Sequence, residues 1–168
     1  LWIAIANLIA GLHISASGEY ILSLLGDIPW WVIIRLELGS FFFGMAVILI
    51  YLRLLFMEEM KRIPFLAGVT VSSVFGLASF FLPTLQSSLL VFPFQLVSFI
   101  ILLYCILVVI LAVKHKRPGS KVFATGFLVL SIFIMNDILL NMNQIYSIPM
   151  AGIGFILFLL SQSYLLAA

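Results

Sequence analysis

A polytopic bundle of membrane-spanning α-helices is the fold class this sequence predicts, and three observations predict it. Hydrophobic residues make up 65% of the chain and charged residues 8%, against roughly half and a quarter in soluble domains. Folded in water, such a chain would lack the polar surface to cover its own exterior. Its apolar residues fall into long runs, most of them long enough to cross ~30 Å of hydrocarbon at ~1.5 Å per residue. Finally, seven of the eight Lys and Arg residues gather in alternate connections. Arg53, Lys61 and Arg62 follow one apolar run, and Lys114, Lys116, Arg117 and Lys121 follow another, whereas 15–29, 83–88 and 143–147 contain neither Lys nor Arg. Basic turns held in the cytoplasm produce this alternation.

The reading is therefore all-α, a single transmembrane helical domain over 1–168 with six apolar helices: A 1–14, B 30–56, C 64–82, D 89–113, E 122–142 and F 148–168. Segment A is shorter than the ~20 residues a span requires, and it has no basic stretch ahead of it as a signal peptide would. The sequence is accordingly expected to begin inside a helix, as a fragment of a longer chain. Pro29, Pro64, Pro83 and Pro149 mark helix boundaries, where the missing N–H costs nothing. No run alternates apolar with polar residues, which argues against a membrane β-barrel. Sidedness follows from the charges: the A–B loop with Glu19 and Asp27 lies outside, B–C inside, C–D outside, D–E inside and E–F outside, so the C-terminus is cytoplasmic. Trp30, Trp31 and Tyr146 at predicted outer boundaries, and Tyr51 near an inner one, fit an aromatic belt.

Charges at lipid depth are the first candidates for function, since each costs ~2.5–3.5 kcal/mol near the bilayer centre. Arg35 and Glu37 early in B, and Asp137 late in E, meet that description. With His13 at the outer end of A they share one depth in the outer third. Arg35 and Glu37, two residues apart, point to different faces of one helix, so the expected ion pair is Arg35 with Asp137. The opposing reading is that these charges snorkel to the headgroups and serve as anchors. Segment E closes on Asn136, Asp137, Asn141 and Asn143, where Asp137 and Asn141 share a face at i,i+4. Interhelical hydrogen bonds, at a modest ~0.6 kcal/mol each, are the favoured explanation over a ligand pocket. The candidate outer polar cluster is thus His13, Arg35, Glu37, Asn136, Asp137 and Asn141. Gly68, Ser72 and Gly76 recur every four residues in C and predict close helix packing; Gly152 and Gly154, with Gln162, read the same way in F.

Enzymatic chemistry finds little support. Glu58-Glu59-Met60-Lys61-Arg62 superficially resembles the paired glutamates of the membrane-embedded prenyl-protease family. Its spacing to arginine is one short, however, and the required histidines in later helices are missing, so a solvated salt-bridged turn is the better reading. His13 and His115 fall on opposite predicted sides and cannot share a metal or haem. Cys105 has no partner for a disulfide. No catalytic residue, metal site or cofactor is expected, and the charge is too sparse for nucleic acid.

Several stretches resemble one family. Asn136-Asp137-Ile138-Leu139 and the remainder of the chain to Ala168, the Arg35-Leu36-Glu37 start of B with Tyr51-Leu52-Arg53-Leu54-Leu55-Phe56 at its exit, and the basic 114–117 turn with Pro118 and Gly119 are similar to the bacterial seven-transmembrane receptors with diverse intracellular signalling modules. The resemblance covers nearly all 168 residues and implies that A to F are the second to seventh helices. It implies a receptor of the bacterial cytoplasmic membrane. Such a receptor carries an extracytoplasmic sensor, often jelly-roll-like and suspected of binding carbohydrate, ahead of the first helix. Its cytoplasmic output, a diguanylate cyclase, histidine kinase, phosphatase or adenylate cyclase, follows the last. Expected partners are the lipid bilayer and those two domains, with a homodimer allowed. A small-solute transporter or channel fragment and a structural anchor are the alternative readings. Transporters favour broken helices and midplane polar groups in repeated halves, which this sequence does not show.

Overall fold

Proline and glycine set where the helices of this chain begin. The structure, a computed structural model, describes Ile5, Leu8, Ile9, residues 11–13, Ala16 and residues 26–167. Helix α1 runs Trp30–Leu55 behind Pro29, and α2 runs Arg62–Phe81 behind the extended Lys61. Pro83 separates α2 from the short α3, Thr84–Leu89. Helix α4 is Val91–Lys114, α5 is Ser120–Asn141 behind the left-handed Gly119, and α6 is Ala151–Ala167. The described positions between Ile5 and Ala16 are helical as well. Every regular element among the described residues is helix.

The predicted segments B to F therefore hold within a few residues, with two differences, while most of segment A (1–14) and Glu19 of the A–B loop lie outside the described residues. The C–D connection at 83–88, expected as a plain turn, is largely the helix α3. Its cause is Ser87, a fully buried hydroxyl that donates to the Ser79 carbonyl (3.2 Å) and the Leu82 carbonyl (3.3 Å). Those carbonyls are among the ones that the end of α2 leaves without helical partners. Segment F, expected from 148, begins its helix only at Ala151; the Ile148 carbonyl and Met150 N–H just before it bond to side chains of the preceding helix, as described below.

Four helical stretches, Trp30–Leu55, Arg62–Phe81, Thr84–Lys114 and Ser120–Asn141, are long and apolar enough to cross a membrane, and Ala151–Ser163 is a shorter apolar helix. Their outward faces carry Ile63, Phe81, Leu85, Leu89 and Ile100, each more than two thirds exposed. An exterior of that kind is tenable only in lipid. Serine and threonine hydroxyls within the helices turn back on their own backbone: Ser79 donates to Gly76, Thr125 to Lys121, Ser131 to Phe127 and Ser163 to Leu159. A hydroxyl in hydrocarbon has no water to bond, so the i−3 or i−4 carbonyl serves.

The chain divides into two compact units, Leu1–Val97 and Ser98–Ala168, with the boundary inside α4. In the first, α1 and α2 pack antiparallel through two reciprocal seats. The ring of Phe80 lies against Gly39, where a Cβ would meet it at 2.8 Å, and the ring of Phe43 lies against Gly76, where a Cβ would meet it at 2.7 Å. Four residues up one helix match four down the other, so both seats belong to one register. Gly68, Ser72 and Gly76 are all buried, and with Ser79 they form the buried stripe of α2. Beside them Phe42 and Phe94, both fully buried, meet edge-to-face at 4.7 Å, with Phe41 and Phe75 against Phe94 at 5.3 and 5.2 Å. Edge-to-face contact of this kind aligns ring edges with ring faces.

The second unit repeats the device on α5 and α6. A Cβ on Gly126 would run into Ser161, and one on Gly154 would lie 2.5 Å from Phe133 Cδ2 and 2.8 Å from its Cβ. Phe123 and Phe127 stack at 5.7 Å, and Phe158 of α6 meets Phe123 edge-on at 5.6 Å.

Candidate functional site

In the first unit, Ser40 and the Glu37 backbone of α1 meet the segment that carries His13. His13 Nδ1 lies 3.2 Å from Ser40 Oγ and 3.4 Å from the Glu37 carbonyl oxygen. The Ser40 hydroxyl already donates to that same carbonyl at 2.9 Å. Both atoms facing Nδ1 are therefore acceptors, so Nδ1 carries the proton. The imidazole stacks on Phe41 at 5.9 Å, and Ile9 touches the Gly44 position at 3.7 Å, which runs this segment antiparallel to α1. Arg35 places its guanidinium 5.2 Å over the Trp31 ring, and its Nε is buried without a hydrogen-bond partner. The Glu37 atom in this cluster is its backbone carbonyl, a contribution that its charge did not predict.

In the second unit, Asp137 is opposite the start of α6. Its two carboxylate oxygens accept from two successive backbone donors, Met150 N–H at 2.8 Å and Ala151 N–H at 2.9 Å. Asn136 completes the arrangement: its side-chain amide donates to the Ile148 carbonyl at 2.9 Å and to Asp137 Oδ1 at 3.0 Å. The first N–H groups of any helix lack helical acceptors, and the helix dipole makes that end positive. An aspartate from the preceding helix thus supplies both a cap and a counter-charge. Asn141, one turn further on, is exposed at the end of α5 and lies outside these bonds. Asn143 follows in the left-handed conformation, φ 55°, with Asn143 N–H on the Leu140 carbonyl and Gln144 N–H on that of Leu139. Those two bonds close α5 as a Schellman turn.

The backbone partners of Asp137 are what sequence reading missed. A signal was available, since Pro149-Met150-Ala151 offers no Ser, Thr, Asn or Asp to cap the helix that follows. The cap had to come from elsewhere in the chain. The expected pairing of Arg35 with Asp137 would join residues of the two units and belongs to the functional proposal below. Among the described residues, no group of three or more His, Cys, Asp or Glu could hold a metal ion.

Compared with models of known families, the chain matches the one described as 7TM diverse intracellular signalling, over residues 1–168. It belongs to that family. No curated protein and no solved structure matches it. A 7TM diverse intracellular signalling domain is the transmembrane sensory domain of a signalling receptor, embedded in a bilayer and linked to other domains. This assigns the chain to the multi-pass membrane proteins and agrees with its apolar helical exterior. In this chain the Asn136–Asp137 pair ties α5 to the start of α6, and the His13–Ser40–Glu37 contacts form a second tie within the first unit.

Proposed function

We propose that this domain couples an extracytoplasmic sensor to a cytoplasmic output module in the bacterial inner membrane, with the chain leaving α6 on the cytoplasmic side. The family match over residues 1–168 carries this reading, and the basic turns at Arg53–Arg62 and Lys114–Lys121 support the orientation by the positive-inside rule. Coupling requires two helix arrangements that sensor occupancy favours unequally. The polar residues His13, Arg35, Glu37, Asn136, Asp137 and Asn141 are the proposed hinge, with Arg35 and Asp137 as its ionic pair. The stripe Gly68, Ser72 and Gly76 is the proposed face on which α2 stays fixed during the change, because close backbone approach resists lateral movement.

The test is the parent receptor reconstituted in vesicles of phosphatidylethanolamine and phosphatidylglycerol, with its sensor and output domains in place. Replacing Arg35 and Asp137 together by Gln and Asn should uncouple output from sensor occupancy while leaving the protein inserted and folded. Unchanged coupling in that double variant removes the hinge. A parent chain that continues into further membrane spans without any output domain removes the receptor reading itself.

A further inference from the structure

We propose that Asn136 and Asp137 are positioning residues that set the axial position of α6, and that the state of their clasp is what the domain transmits at its far end. The inference deepens the receptor reading and rests on it for the word transmits; the clasp itself rests on geometry alone. Four of the other helices begin at Pro29, Lys61, Pro83 and Gly119, and none of these positions makes a side-chain cap bond. The start of α6 is different, because its donors are satisfied from another helix: Met150 N–H and Ala151 N–H each take one oxygen of Asp137. Asn136 holds the chain just before them through the Ile148 carbonyl. Three bonds from two adjacent side chains thus fix the entry to α6 against α5.

The same register continues along the helices. Gly126 receives Ser161, Phe133 lies on Gly154, and Asp137 meets Met150. Equal steps along the two antiparallel helices connect all three pairs. Sliding α6 along α5 must therefore unseat Ser161 and Phe133 and break the clasp together, which makes the change discrete rather than graded. Asp137 contributes more than a neutral acceptor would, since an ionised carboxylate interacts with the positive helix end.

The experiment compares Asp137→Asn, Asp137→Ala, Asn136→Leu and Arg35→Gln in the full receptor, in the same vesicles, with no sensor ligand added. The first readout is hydrogen exchange at the Met150 and Ala151 amides. Asp137→Asn should speed it about tenfold and Asp137→Ala further, Arg35→Gln should speed it clearly less than either, and the α5 interior should stay as in the parent. Uniform acceleration across 98–167 would mean general destabilisation and overturn the clasp; no acceleration overturns it too. If Arg35→Gln accelerates exchange as much as Asp137→Asn does, the ion pair and not the cap is what holds the helix, and the proposal falls. The second readout is maleimide labelling of a Ser163→Cys probe, exposed on α6, in a Cys105→Ala background. Its rate should change severalfold when Asp137 is replaced by Asn and return with Asp137→Glu; an unchanged rate removes the positional claim. Basal output is the third readout. Altered exchange and labelling with unaltered output would separate a real clasp from signalling and overturn the transmission claim, whereas failure of the receptor reading leaves the first two readouts intact.

Discussion

Lys116 and Asn143 adopt the same backbone conformation, φ 55°, at the ends of α4 and α5. In both, the next residue's N–H reaches back to close the helix: Arg117 to the Ala112 carbonyl, and Gln144 to that of Leu139. Asparagine tolerates this left-handed region, whereas lysine sits there at a cost of ~1 kcal/mol relative to glycine. Lys116→Gly should therefore raise stability by about that amount, and Asn143→Ala should lower it by ~0.5–1 kcal/mol, both measured by unfolding in mixed detergent micelles. At Asp137, truncation to Ala should cost ~1–2 kcal/mol, the range of a lost N-cap, with Asn recovering part of it. The same residue shows how far sequence reaches. Its place as a candidate was legible, because an acidic residue in an apolar run is conspicuous. Its partners were not, because they are backbone N–H groups with no side-chain identity. The Glu37 carbonyl facing His13 escaped for the same reason.

The antiparallel helix pairs differ in how rigidly their glycines are enclosed. At Gly39 the obstruction is the far edge of the Phe80 ring, which is 42% exposed and has room to swing outward. At Gly154 it includes Phe133 Cβ at 2.8 Å, and at Gly126 it includes Ser161 Cβ at 2.7 Å. No rotamer change moves a Cβ, so relief there requires backbone shift. Gly154→Ala and Gly126→Ala should each cost ~1–3 kcal/mol, and Gly39→Ala clearly less, in the same micelle unfolding assay. Adding Ser161→Gly to Gly126→Ala should recover most of the loss, since the small and large partners merely exchange sides. Helix bounds were readable to within a few residues because run length and proline placement fix them. The reciprocal seats were half readable: Gly68, Ser72 and Gly76 lie four residues apart on one line, but which ring meets which glycine depends on register between helices, and a single strand of letters does not contain it. Helix α3 was hidden by Pro83, which reads as the start of a turn until the buried Ser87 hydroxyl is placed.

Across the whole molecule the basic residues follow one rule, and it can be tested as one. Lys114, Lys116 and Lys121 are exposed around the turn between α4 and α5, and Arg53 at the end of α1 lies 4.5 Å over the Phe65 ring with its guanidinium 3.3 Å from the Met60 carbonyl. If these turns face the cytoplasm, a cysteine probe at the fully exposed Tyr146 (Tyr146→Cys) should react with an impermeant maleimide on intact cells. Changing Lys114, Lys116, Arg117 and Lys121 together to Gln should give a mixed population in which part of that labelling is lost. Charge alternation in the sequence supplies this expectation of sidedness; how the link itself is held does not follow from it.

The link between α5 and α6 is two segments with opposite tolerances. Residues 145–147, past the Gln144 N–H that closes α5, form an open arc, whereas the stretch from Ile148 to Ala151 is gripped by Asn136 and Asp137. One residue added within the gripped stretch would turn α6 by ~100° about its own axis and present different side chains to α5. One residue added to the arc has only slack to fill. Length variation among natural or engineered versions of this domain should thus be confined to the arc, and a labelling tag belongs there. Solvent exposure alone, complete at Tyr146 and still high at Ile148, would not mark the boundary between the two.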